Sequence, residues 1–124
     1  MTHRRLFNAM TSLLMEYWEK RPSDELASLL STLCMAAYES PVGAATTDDW
    51  ATFMATEGLL VRDLPSDRGG GGLASVVRFL ATQSWCRIDD VLHELELVVH
   101  NGHGEVLRRS DWERCCEKGT PPYP

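Results

Sequence analysis

Three histidines, His93, His100 and His103, stand close together, and Cys115 and Cys116 follow them. Imidazole and thiolate are zinc ligands, and the end of one helix and the start of the next could bring such groups to one ion. Their separations correspond to no zinc-site pattern, however, and "HNGHG" has the composition of an exposed turn. Cysteine with histidine also makes a nucleophile and its base. No cysteine here occupies a glycine turn or elbow, and Cys34 falls beside the apolar face of a helix, where a thiol packs as a small hydrophobe. Asp48 with Asp49, and Asp89 with Asp90, are paired carboxylates that acid–base chemistry or a hard cation would use. Each pair also stands at a helix start, where the dipole alone favours negative charge. The run "GGGG" at 69–72 is followed by apolar residues rather than Lys-Ser/Thr, so it is not a phosphate loop. These residues imply no enzyme, no metal and no cofactor.

The elements that position them form one compact chain. With 124 residues and 44% apolar composition, a single domain is expected. Eighteen acidic against twelve basic side chains give a net charge of -6, and Lys and Arg are scattered rather than gathered in a stripe. That distribution opposes nucleic-acid binding. The N-terminal "MTHRRLFNAMTSLLMEYWEK" spaces its apolar residues instead of running them together, unlike a signal peptide or a membrane span. Four cysteines without a disulfide-framework spacing point to a reducing cytoplasm.

Leu6, Met10, Leu13, Leu14 and Tyr17 recur at three and four residues and place one apolar face on a helix that runs to about Lys20. After Pro22, Ser23 caps a second helix, with Asp24 and Glu25 in its first turn and Leu26, Leu29, Leu30 and Leu33 along its face. Thr47 reads as the next cap, followed by Asp48 and Asp49, with Trp50 and Phe53 packing inward. Residues 63–72 then form a Gly-rich connector, since glycine has no side chain to bury and the most backbone entropy to lose. Leu73, Val76, Val77 and Leu80 restore the helical spacing, and Ile88, Val91, Leu92, Leu95 and Val99 share a face after Asp89 and Asp90.

"EYWEKRPSDELASLLSTL" and "TQSWCRIDDVLHELELVV" match in a Trp, a basic residue, an acidic helix start and apolar steps, and each leads through a loop to "DW". The expected fold is therefore an all-α bundle of two related helical-hairpin halves, 1–62 and 73–119. Ser110 with Glu113 forms a capping-box pattern, and Gly119 and Pro121 close that helix. On this basis each "DW" is a helix start carrying an aromatic core anchor. A short β-hairpin near residues 95–108 competes with continuous helix, because Asn101-Gly102 lies between a β-branched run and Val106-Leu107.

The first half, "RLFNAMTSLLMEYWEKRPSDELASLLSTL" followed by "DDWATFM", resembles small bacterial immunity proteins of contact-dependent and type VI secretion toxin systems. The matching residues are Ala9, Met10, Leu14, Tyr17, Trp18, Ser23, Asp24, Glu25, Leu26, Leu29, Leu30, Asp49 and Trp50. Where the family's loop carries "DG...DPA.W", this chain has "ESPVGAATTDDW". The resemblance implies a cytoplasmic protein that binds and occludes a cognate toxin. The negative charge agrees with a basic toxin such as a nuclease. Glu16, Tyr17, Trp18, Glu19, Asp24, Glu25, Asp48 and Asp49 are then the candidate partner-binding residues, provided that the Trp18 side of the first helix is exposed. The alternative is a non-catalytic adaptor or homodimer of a bacterial assembly.

Overall fold

The computed structural model describes residues 3–37, 44–56, 71–83 and 87–118. These form six helices: α1 His3–Lys20, α2 Asp24–Ala37, α3 Ala44–Thr56, α4 Gly71–Ala81, α5 Asp89–Asn101 and α6 Arg109–Lys118. The all-α bundle follows from the apolar spacing, and a single apolar cluster draws side chains from all six helices. None of the described helices is long and apolar enough to cross a membrane.

α1 is the central helix. Every residue from Leu6 to Met15 is buried, including Asn8, Thr11 and Ser12. It is therefore covered on all sides along this stretch rather than along one stripe, and among its polar members Thr11 Oγ1 donates to the Phe7 carbonyl at 3.0 Å. The widest packing is between α1 and α6, followed by α1 with α2 and α4 with α5. Arg5 ties the first of these pairs, its Nε donating to the Cys116 carbonyl at 2.8 Å at the negative end of α6.

α2 begins as the sequence dictates: the Leu26 N–H donates to Ser23 Oγ at 3.2 Å. Three other boundaries are corrected. α3 starts at Ala44, so Thr47, Asp48 and Asp49 lie inside the helix rather than at its cap; Ala44 and Ala45 are strong helix formers and extend it backwards. α6 starts at Arg109, and the Arg108 N–H donates to Asp111 Oδ2 at 2.9 Å, so the reciprocal capping contact uses Asp111 rather than the Ser110–Glu113 pair. Gly71 and Gly72, assigned above to the 63–72 connector, open α4; residues 63–70, Gly119 and Pro121 lie outside the described residues.

The expected hairpin near 95–108 is also replaced. α5 continues to Asn101, and Gly102 closes it in the left-handed conformation at φ 83°, its N–H donating to the Val98 carbonyl. Asn-Gly suits a helix C-terminus as well as a hairpin turn, and the helix prevails because Leu95 and Val98 are buried on its face. A single antiparallel bridge, His103 to Arg108, remains. The two halves differ at their third helix: α3 packs on α2, whereas α6 crosses to α1. The "DW" tryptophans are core anchors in both, at 3% exposure for Trp50 and 0% for Trp112. Trp50 meets Phe7 and Phe79 edge-on, with ring centres 5.2 and 4.8 Å apart.

Candidate functional site

The last turn of α1 separates four candidate residues according to the face of the helix on which each lies. Tyr17 continues the apolar side formed by Met10, Leu13 and Leu14 and is 1% exposed. Its hydroxyl donates to Asp90 Oδ2 at 3.5 Å, linking α1 to the first turn of α5. Burial, and then the Asp90 charge, push its ionisation above the ordinary phenol range. Tyr17 is thus a core residue, and its assignment to a partner surface is corrected. The sequence already carried the reason, because Tyr17 continues the register of Leu6, Met10 and Leu13.

Glu16 is half-buried and engaged with α6. It accepts a hydrogen bond from Cys115 Sγ at 2.9 Å through Oε2 and pairs with Arg114 through Oε1. Burial first, then Glu16 as acceptor and as charge, pushes the Cys115 thiol far above its usual range. That thiol is held protonated, the opposite of an activated nucleophile. Glu16 therefore joins α1 to α6 rather than presenting a free carboxylate.

Glu19, Asp24, Glu25, Asp48 and Asp49 are exposed. Among the ion pairs seen between described residues, none uses Glu19, Asp24 or Glu25. The adjacent cations are turned elsewhere: Lys20 Nζ donates to the Val106 carbonyl at 3.4 Å, and Arg21 pairs with Glu105 at 3.0 Å. The end of the α1–α2 hairpin is left with a carboxylate surplus.

Beside that surplus, α1 and α2 enclose a groove of about 370 Å³ lined by Met15, Trp18, Ala27, Leu30, Ser31, Cys34 and Met35. Trp18 is half-buried in its wall, and Met35, at 41% exposure, is the exposed large apolar side chain among the described residues. Helical spacing extends the groove's two stripes into acid. Glu19 follows Met15 by four residues, and Asp24 precedes Ala27 by three and Ser31 by seven. Burial raises the Cys34 thiol above its ordinary range, so this wall stays neutral.

The histidines and cysteines do not form a common site. His93, His100 and His103 are exposed while Cys115 and Cys116 are buried. Among the described residues, no three His, Cys, Asp or Glu side chains are placed to hold a metal ion.

A buried carboxylate that sequence reasoning missed shapes the loop after α5. Glu94 is 2% exposed, and accepts from the N–H groups of Glu105 at 3.0 Å, Val106 at 2.8 Å and Leu107 at 2.7 Å. Burial alone would raise its pKa, but the three backbone donors and the Arg21 charge outweigh it and hold the carboxyl below its ordinary value. Gly104 makes room for it: a Cβ there would stand 2.5 Å from Glu94 Cδ and 2.8 Å from Oε1. The signal in the sequence was an acid at an apolar register, three residues after Val91 and four before Val98, followed by Gly102 and Gly104.

No protein-family model, curated protein or solved structure matches the chain.

Proposed function

We propose that the chain is an immunity protein that binds and occludes a cognate secreted bacterial toxin in the cytoplasm, with no reaction of its own. One observation carries this reading: an open apolar groove has Trp18 and Met35 in its walls, and the exposed Glu19 and Asp24 stand one helical turn beyond its Met15 and Ala27 lining. Half-buried aromatic and thioether surface inside a polar rim is the composition of a protein interface. The carboxylate surplus and the net charge of -6 favour and steer a basic partner, such as a nuclease toxin. The resemblance of the first half to immunity proteins supplies the biological setting. The test is affinity capture of the tagged chain from its native cell, followed by co-expression with the captured protein. A toxic partner that the chain neutralises is the expected result; capture of a harmless assembly would sink the proposal.

The exposure of Met35 also suits an adaptor that pairs with its own copy through the groove. Sedimentation over a range of concentrations separates the two, since an immunity monomer stays monomeric and a self-pairing adaptor does not.

A further inference from the structure

α1 and α2 are joined by a short turn, and the groove between the last turns of α1 and the length of α2 is asymmetric. Its Cys34–Met35 end is apolar, whereas its other end, beside Trp18 and Ala27, runs into Glu19 and Asp24. From Asp24 to Met35 the α2 wall rises roughly 16 Å, the length of about three helical turns. A second helix laid in the groove would therefore bring an i, i+3, i+7 stripe against the walls and carry its next residues over the acidic end. Lys20 and Arg21, the cations of this turn, donate to the Val106 carbonyl and to Glu105 rather than to Glu19 or Asp24.

We infer that the groove between α1 and α2 receives one face of a basic amphipathic helix of a protein partner, its apolar side chains against Met15, Trp18 and Met35 and its Lys or Arg side chains against Glu19 and Asp24. The inference rests on the binding function proposed above and specifies the surface and the chemistry of the segment that it captures. Charge complementarity favours this occupant over a second copy of the chain, which would oppose one acidic end with another wherever the two grooves pack in parallel.

The methionines supply the readout. Met15 and Met35 line the groove, whereas Met10 and Met54 are fully buried at 0% exposure. Full-length protein labelled with 13C at the methionine methyls is titrated with two synthetic amphipathic peptides of about 18 residues, long enough for several turns. They share a leucine stripe, and one is flanked by Lys and Arg, the other by Glu. The basic peptide is expected to shift the Met15 and Met35 methyls in a saturable way, to leave Met10 and Met54 unmoved, and to outbind the acidic peptide by about tenfold or more. The double variant Glu19→Lys/Asp24→Lys, exposed at both positions and so able to fold, is expected to lose that preference. An absence of shifts, equal response to both peptides, shifts at Met10 and Met54 as well, or Met15 and Met35 shifts that follow protein concentration without peptide would each overturn the inference. Should the peptides fail while the chain still rescues toxin-expressing cells, the groove assignment falls and the immunity function stands.

Discussion

Glu94→Gln isolates the energetics of the loop after α5. In the native protein one oxygen takes the Val106 and Leu107 N–H groups at 2.8 and 2.7 Å, and the other takes Glu105 at 3.0 Å. Glutamine keeps a single acceptor oxygen. Oriented to hold Val106 and Leu107, it turns its NH2 toward the Glu105 N–H, leaving donor against donor, and its two remaining bonds lose the charge that strengthened them. An unsatisfied buried donor costs about 1–3 kcal/mol and neutralising two charge-assisted bonds about 1 kcal/mol more, so the loss is about 2–4 kcal/mol. Against a typical stability of about 5–15 kcal/mol this is a large fraction, and it corresponds to a melting temperature lower by roughly 8–15 °C.

The pH dependence has a definite sign. The Glu94 carboxyl lies below its ordinary value when folded: burial raises it, but the three backbone donors and Arg21 outweigh burial. Its stabilisation is therefore complete above the unfolded value of about 4.3, and is lost as the pH falls through the folded value. Urea unfolding followed by far-UV circular dichroism at pH 7 and near pH 3 should show a wild-type advantage that shrinks on acidification. An advantage under about 0.5 kcal/mol at pH 7, or one that persists undiminished at the lower pH, would refute this account of the loop.

Gly104→Ala drives a methyl group into the same carboxylate, and should cost about 2–3 kcal/mol in wild type but much less in the Glu94→Ala background, a coupling that a double-mutant unfolding cycle reads directly. Ser23→Ala removes the hydroxyl that accepts the Leu26 N–H and should lower stability by about 1 kcal/mol in chemical denaturation. Tyr17→Phe, which deletes a long bond to Asp90 and the hydroxyl's interaction with Arg21, should leave the proposed partner binding unchanged and cost about 1 kcal/mol, as expected of a core residue. Native-state alkylation at mildly alkaline pH, mapped by mass spectrometry, should leave Cys115 unmodified, because burial and Glu16 keep it protonated, while half-buried Cys34 reacts before it.

Periodicity carried the helices and Ser23 carried the start of α2, because local hydrogen bonding and apolar spacing decide both. The boundaries that moved are those where two local rules compete. Thr47 is a good cap, but Ala44 and Ala45 extend the helix past it; Asn101-Gly102 serves a hairpin turn and a helix end equally, and only the burial of Leu95 and Val98 decides. Asn8, Thr11 and Ser12 lie off the stripe that the apolar spacing marks and are buried nonetheless, since nothing local announces that a helix is covered on every side. Of the partner-binding candidates, Glu19, Asp24, Glu25, Asp48 and Asp49 are exposed, Trp18 lines the groove, Glu16 is tied to α6 and Tyr17 is in the core. The groove itself depends on how far apart α1 and α2 stand, a tertiary distance that no single helix pattern contains.

If the chain is an immunity protein as proposed, the acidic end of the α1–α2 hairpin is where it meets its toxin. The most direct measurement is survival of cells that co-express the captured partner with either the wild-type chain or its Glu19→Lys/Asp24→Lys variant, at matched levels and with matched melting temperatures. Protection by the wild type and its loss in the variant is the predicted result. Equal protection by both would contradict the placement of binding at this end, and failure of the wild type to protect would contradict the immunity function itself.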